Sequence, residues 1–201
     1  MDKRVRLGIS VEGTTEVRFV EKLLLTYLSE KGIGVFAVSI NGNVSIDRVK
    51  HELKQLLKSF DYVSTLYDFY GFKGKAQGET KTSLESKISE SIEPKLRAKL
   101  IPYIQMYEFD GLLFSFPEAI AKELQDDNLN AWASGILAAF NQNPEKINDS
   151  TETAPSKRLE KHTDYRKTTH GPNIAEHIGL AKIQGMCSGF DAWLTKLEQL
   201  S

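Results

Sequence analysis

Leu7-Gly8-Ile9-Ser10-Val11-Glu12-Gly13-Thr14-Thr15-Glu16 decides how this chain is read. Val5 to Val11 reads as a buried strand, punctuated by Gly13 and the Thr14-Thr15 pair. Thr14 or Thr15 can N-cap a helix running to about Lys31, with Val17, Val20, Leu23, Leu24 and Leu28 on one face. Gly32-Ile33-Gly34 stops it. A second short strand, Val35 to Ile40, ends at the turn Asn41-Gly42-Asn43, and Ser45 or Asp47 opens a helix carrying Val49, Leu53, Leu56 and Leu57 at helical spacing. Tyr62 to Tyr67 is a third strand. The order βαβαβ predicts a parallel sheet with right-handed crossovers.

Outward from that unit the reading continues. Phe69 to Thr80 is a loop rich in glycine and lysine. A helix over about Lys81 to Lys99, bent near Pro94, leads to a fourth strand at about Tyr103 to Tyr107. Beyond Gly111 the chain reads as helical: Pro117 can start one helix, Trp132 to Phe140 is another, and Ile174–Leu180 and Gly189–Leu200 close the chain. Asn141 to Ser156 reads as an ordered polar loop. The fold class expected is α/β, a mostly parallel sheet of about four strands flanked by helices, with a mainly helical C-terminal part.

Composition narrows the functional classes. A chain of 201 residues is ample for a real core, and 40% hydrophobic with 26% charged residues is ordinary for a globular protein. Lys and Arg number 26 against 27 Asp and Glu, a net charge of −1, so any nucleic-acid surface must be local. The single cysteine, Cys187, excludes an intrachain disulfide and suits a reducing compartment. No apolar run approaches the ~20 residues of a membrane span, and Met1-Asp2-Lys3-Arg4 lacks the form of a signal peptide, so the cytoplasm is the expected location.

Acidic residues stand just past three of the strands: Glu12 with Glu16 after the first, Asp68 after the third, and Glu108 with Asp110 after the fourth. Ligands of open α/β sheets bind outside the carboxyl ends of the strands, so these carboxylates are expected at one rim. Unpaired they repel and their pKa values rise; a hard divalent cation removes the penalty. Three of the five have a plainer reading. Glu16 complements a helix dipole, Asp68 forms a turn, and Asp110-Gly111 is a common turn signal. If the strand reaches that far, alternation puts Glu108 and Asp110 on the same side. A second group is basic: Lys157-Arg158 and Arg166-Lys167, in Ala154–Leu159 and Tyr165–Gly171, read as loops suited to phosphate oxygens or as a solvated charged surface. His170 is a general acid or base, or a structural histidine. Cys187, Trp132 and Trp193 read as core. Gly71-Phe72-Lys73-Gly74-Lys75 is not a Walker A loop, because no Ser or Thr follows the last Lys.

Taken together, Val11–Glu16, Tyr67–Gly71, Tyr107–Phe114, Ala154–Arg158, His177–Leu180 and Phe190–Leu194 resemble an uncharacterised Toprim-like bacterial family, related to the Toprim domains of OLD-type nucleases. The resemblance implies a Toprim-like catalytic core over residues 1–115 and a helical extension over 116–201 packed on it as one globular unit. It also implies a nuclease dependent on Mg²⁺ or Mn²⁺, acting as the effector of an anti-phage defence pair with an ABC- or AAA-type ATPase. The metal ligands would be Glu12, Glu16, Asp68, Glu108 and Asp110. Glu12 would double as general base, and Lys157 and Arg158 would offset phosphate charge with Arg166 and Lys167 nearby. Asp68-Phe69-Tyr70 departs from the Asp-x-Asp of many Toprim domains, which leaves the second metal position open. The choice between DNA and RNA, a phosphatase on the same scaffold, a non-catalytic ATPase-binding module with a vestigial acidic rim, and the oligomeric state, homo-oligomer included, also stay open.

Overall fold

In a computed structural model, which describes residues 4–200, β1 (Val5–Val11) sits inside a five-stranded parallel sheet. The expectation about Met1–Lys3 lies outside the described residues. β2 (Ile33–Ser39) pairs with one edge of β1 and β3 (Tyr62–Asp68) with the other, so that Leu7 faces both Val35 and Tyr62 across the ladders. Beyond β3 the sheet continues as two short pieces. β4 (Leu100–Ile101) pairs with Val63 and Ser64, and β5 (Ile104–Gln105) pairs with Tyr67 and Asp68. The single strand expected over Tyr103–Tyr107 is therefore corrected. Pro102 cannot donate to a ladder. Thr65 bridges the gap instead: its Oγ1 donates to the Tyr103 carbonyl at 2.9 Å and accepts from the Tyr103 N–H at 2.8 Å.

Helices cover both faces. α1 (Thr14–Phe19) runs through a π-helical segment, Val20–Leu24, into α2 (Leu25–Glu30), as one long element. Gly13, not Thr14 or Thr15, takes the N-cap position. α3 (Ile46–Ser59), N-capped by Ser45, and α4 (Lys81–Glu90), capped by Thr80, lie on the opposite face. α4 stops at Glu90 rather than bending on to Lys99, because the ring of Pro94 would clash with the carbonyl four residues back. Two apolar layers result. One unites Leu7, Ile9, Val11 and Leu66 with Phe19, Leu24, Phe109 and Trp193. The other unites Val63, Tyr67 and Ile104 with Leu53, Leu57, Leu84 and Ile88. Alternation along β3 therefore turns Asp68, like Leu66, toward the first layer.

The C-terminal part is helical, as expected: a 3₁₀ segment, Phe109–Ser115, then α5 (Pro117–Leu124), α6 (Asn128–Ala139), α7 (Pro155–His162), α8 (Lys167–Ile178), α9 (Leu180–Met186) and α10 (Ser188–Glu198). The basic segments read as loops are corrected here. Most of Ala154–Leu159 belongs to α7, and α8 begins at Lys167. Pro172 inside α8 leaves the Thr168 carbonyl without its helical partner, and Arg18 of α1 supplies one at 2.7 Å. Gly171 lets α8 come close, since a Cβ there would lie 2.8 Å from the Tyr165 hydroxyl. Trp193 locks α10 to the sheet, stacking on Tyr103 at 4.7 Å and donating to the Ser64 hydroxyl at 2.8 Å. Among the described residues, no helix is long and apolar enough to cross a membrane.

Candidate functional site

The chain passes from β1 to β2 on one side and then returns to β3 on the other, so strand order reverses between β1 and β3. That is where open α/β sheets leave a crevice at their carboxyl ends. Glu12 follows β1 and Asp68 ends β3, one on each side of the reversal. Glu16 reaches the same place from the first turn of α1. Glu108 and Asp110 arrive by a route the sequence reading missed. β5 ends at Gln105, so strand alternation does not set their directions. Glu108 instead caps the 3₁₀ segment that Phe109 and Asp110 begin.

Lys167, the first residue of α8, stands among these carboxylates. Its Nζ lies 3.1 Å from Asp68 Oδ2, 3.1 Å from Asp110 Oδ2 and 4.0 Å from Glu16 Oε1. Asp68 is buried and is no turn-former: its Oδ1 accepts the Phe109 N–H at 2.6 Å while Oδ2 takes the ammonium. Asp110 is fully buried, and its Oδ1 accepts the Tyr165 hydroxyl. Its Oδ2 feels the charge of Lys167 but has no hydrogen-bond partner. Glu16 serves the helix end, its plainer reading, since its Oε2 accepts the Gly13 N–H at 2.9 Å; its other oxygen faces Lys167. Glu108 is half-buried and accepts the Ser156 N–H at the start of α7 at 3.0 Å.

Glu12 is held differently. Its carboxylate lies against Gly71, where a Cβ would come 2.3 Å from Oε2, and that oxygen is buried without a partner. Only glycine leaves room for it, which gives the Gly71 of the glycine-lysine loop a role that its sequence context did not reveal.

Five carboxylates around one ammonium set the electrostatics. Burial raises the Glu12 pKa, and the charge of Asp68 adds to it. Burial also raises Glu16. At Asp68 burial wins over the attraction of Lys167, and its pKa rises from 3.8 to about 7. Lys167 goes the other way. Burial disfavours its charge, but Asp68, Asp110, Glu16 and Glu108 outweigh that and hold its pKa well above the usual lysine value. The ammonium also sits at the start of a helix, the end whose dipole repels a cation. Only the carboxylates keep it there.

As they stand, these oxygens are spaced for an ammonium at about 3 Å, not for Mg²⁺ bonds of about 2.0–2.1 Å. Among the described residues, no group of three or more His, Cys, Asp or Glu is disposed to hold a metal ion directly. The donor chemistry nonetheless suits a hard cation: the set is all oxygen, two of its atoms are buried without hydrogen-bond partners, and its charge exceeds that of Lys167.

The remaining basic residues are spread out. Lys157 is exposed and pairs with Glu160 at 2.7 Å. Arg158 points away from the carboxylates, donating to the Thr153 carbonyl and to Asp149, each at 2.6 Å. Arg166 is exposed at the N-cap of α8. Lys167 is therefore the one of the four with ion pairs to the acidic rim among the described residues, though Lys157 also feels the charge of Glu108. His170 Nδ1 accepts the Arg166 N–H at 3.1 Å, the hydrogen bond that its structural reading calls for. Cys187 and Trp193 are buried, as expected, and Trp132 is half-buried against Phe114. The Tyr165 hydroxyl was not legible as an acidic-site residue, because only the packing of α8 brings it to Asp110.

No curated protein and no solved structure matches the chain. Residues 11–198, from the end of β1 through α10, match the family described as a domain of unknown function (DUF4276), and the chain belongs to that family.

Proposed function

We propose that the chain is a metal-dependent phosphodiester hydrolase, a nuclease using Mg²⁺ or Mn²⁺, as its resemblance to Toprim domains implies. One observation carries the reading: carboxylates from β3, α1 and the segment after β5 meet at the strand-order reversal with more negative charge than Lys167 neutralises. A fold tolerates such a cluster of buried acids at a cost of several kcal/mol, and function is the usual reason. Asp68, Asp110 and Glu16 would hold the ion, with Glu12 and Glu108 beside them. Bound there, a divalent ion supplies charge stabilisation and a water of lowered pKa.

The chain's own groups divide the remaining work. Glu12 has a buried oxygen without a partner and a pKa moved upward by burial, both suited to accepting a proton from water. Tyr165 holds Asp110 in place through its hydroxyl. Arg166 is exposed beside the site and suits a phosphate oxygen, whereas Lys167 can serve one only after leaving the carboxylates. Lys157 and Arg158 would act at a distance from the rim, because Arg158 is engaged with Thr153 and Asp149. An ATPase partner and a role in anti-phage defence belong to this proposal through the Toprim resemblance.

One observation favours a second reading. Lys167 already closes the centre with ion pairs, as it would in a non-catalytic ATPase-binding module whose acidic rim is vestigial. Incubation of the purified chain with Mg²⁺ or Mn²⁺ and single- or double-stranded DNA or RNA separates the two, with and without any ATPase encoded beside it. Cleavage that disappears in Asp68→Asn is expected. Absence of cleavage under every condition, or equal cleavage by wild type and Asp68→Asn, sinks the nuclease reading.

A further inference from the structure

The carboxylates of the acidic rim are gathered around a cation that the chain itself provides. Lys167 donates to Asp68 and faces Asp110 at the same 3.1 Å, although its place at the first position of α8 works against a positive charge. Asp110 is fully buried, and its Oδ2 keeps no hydrogen bond even with the ammonium at that distance. The lysine side chain is 32% exposed on a flexible stem, so a path to water is open to it.

We propose that Lys167 is a resident counter-ion that occupies the centre in the metal-free protein and is displaced by the entering divalent ion. This rests on the metal reading above and adds to it that metal binding is an exchange of cations. The physical reason is spacing and charge. Asp68 Oδ2 and Asp110 Oδ2 stand 3.1 Å from the ammonium and Glu16 Oε1 stands 4.0 Å from it, all longer than Mg²⁺ bonds of about 2.0–2.1 Å. Lys167 and a divalent ion cannot share one point among the same three carboxylates. Once Lys167 leaves, Asp68, Asp110 and Glu16 close on the ion. The lysine then becomes a free cation at the mouth of the site. Lys167 is thus a positioning residue for the carboxylates in one state and an exposed amine in the other.

The test uses the full chain and Mn²⁺ alone as probe. In chelator, limited acetylation followed by peptide mass spectrometry should leave Lys167 unmodified, because it is paired with Asp68 and Asp110. Saturating Mn²⁺ should raise its modification by about tenfold or more, while Lys81, half-buried over the Tyr103 ring and paired with Glu85 away from the rim, keeps the same level of modification in both states. By calorimetry, Lys167→Met, which removes the competing cation, should bind Mn²⁺ about tenfold more tightly than wild type. If wild type binds Mn²⁺ while Lys167 stays protected, and Lys167→Met binds no more tightly, the exchange is wrong and the metal reading survives. If neither protein binds Mn²⁺, both fall. Should Lys167→Met fail to fold, the labelling of wild type decides alone.

Discussion

Replacing Asp68 by asparagine should make the metal-free protein more stable at neutral pH, not less. Asp68 is buried at the end of β3, and burial raises its pKa from 3.8 to about 7 despite the neighbouring ammonium. Between those pH values the folded protein keeps a proton that the unfolded chain has released. Wild-type stability therefore falls as pH climbs through that interval, because the unfolded state binds fewer protons. An amide is a neutral isostere of the protonated acid, and its oxygen can still accept the Phe109 N–H. The gap of about 3 pH units, at about 1.4 kcal/mol each, sets a ceiling of about 4 kcal/mol. An effective interior dielectric well above the dry value reduces this to roughly 2 kcal/mol. For a chain of this size that is a rise in Tm of about 4–8 °C at pH 7.5, most of it absent at pH 4.5. The assay is thermal unfolding of both proteins in chelator across that pH range. If the advantage of Asp68→Asn shrinks or reverses as pH rises, ionised Asp68 is a net stabiliser through Lys167, and the electrostatic account of the rim is wrong.

Gly71→Ala should separate folding from function. The new Cβ displaces only the end of the flexible Glu12 side chain, so Tm should move by about 2 °C or less, while metal-dependent cleavage falls to the level of Glu12→Gln; unchanged cleavage would show that Glu12 does not act from that position. Cys187 is fully buried, 3.3 Å from the Ser115 hydroxyl, and burial pushes its pKa up to about 12. Its alkylation in the native protein at pH 8 should be about a thousandfold slower than in denaturant, and comparable rates would mean that the core under α10 opens readily.

Local patterns carried the fold a long way. Strand and helix periods from Val5 to Tyr67 are short-range properties, set by which neighbours a residue must bury, and they gave the parallel sheet and its first three strands. Pro94 was visible as an interruption and ends α4 at Glu90, whereas the split of the strand at Pro102 and Tyr103 depended on Thr65 across the sheet. The basic segments failed as loops because the stability of α7 and α8 comes from packing: α8 docks on α1 through Gly171 and Arg18, contacts between residues far apart in the chain.

Glu12 and Asp68 were legible in the sequence alone, because carboxylates at strand ends are placed by sheet topology, which alternation of elements already specifies; Glu16, Glu108 and Asp110 reach the rim from helical segments whose directions only the fold sets. What fills the centre was decided only by the tertiary structure. Lys167 stands 99 residues from Asp68 along the chain, and the helix packing that delivers it among the carboxylates leaves no periodic trace in the sequence.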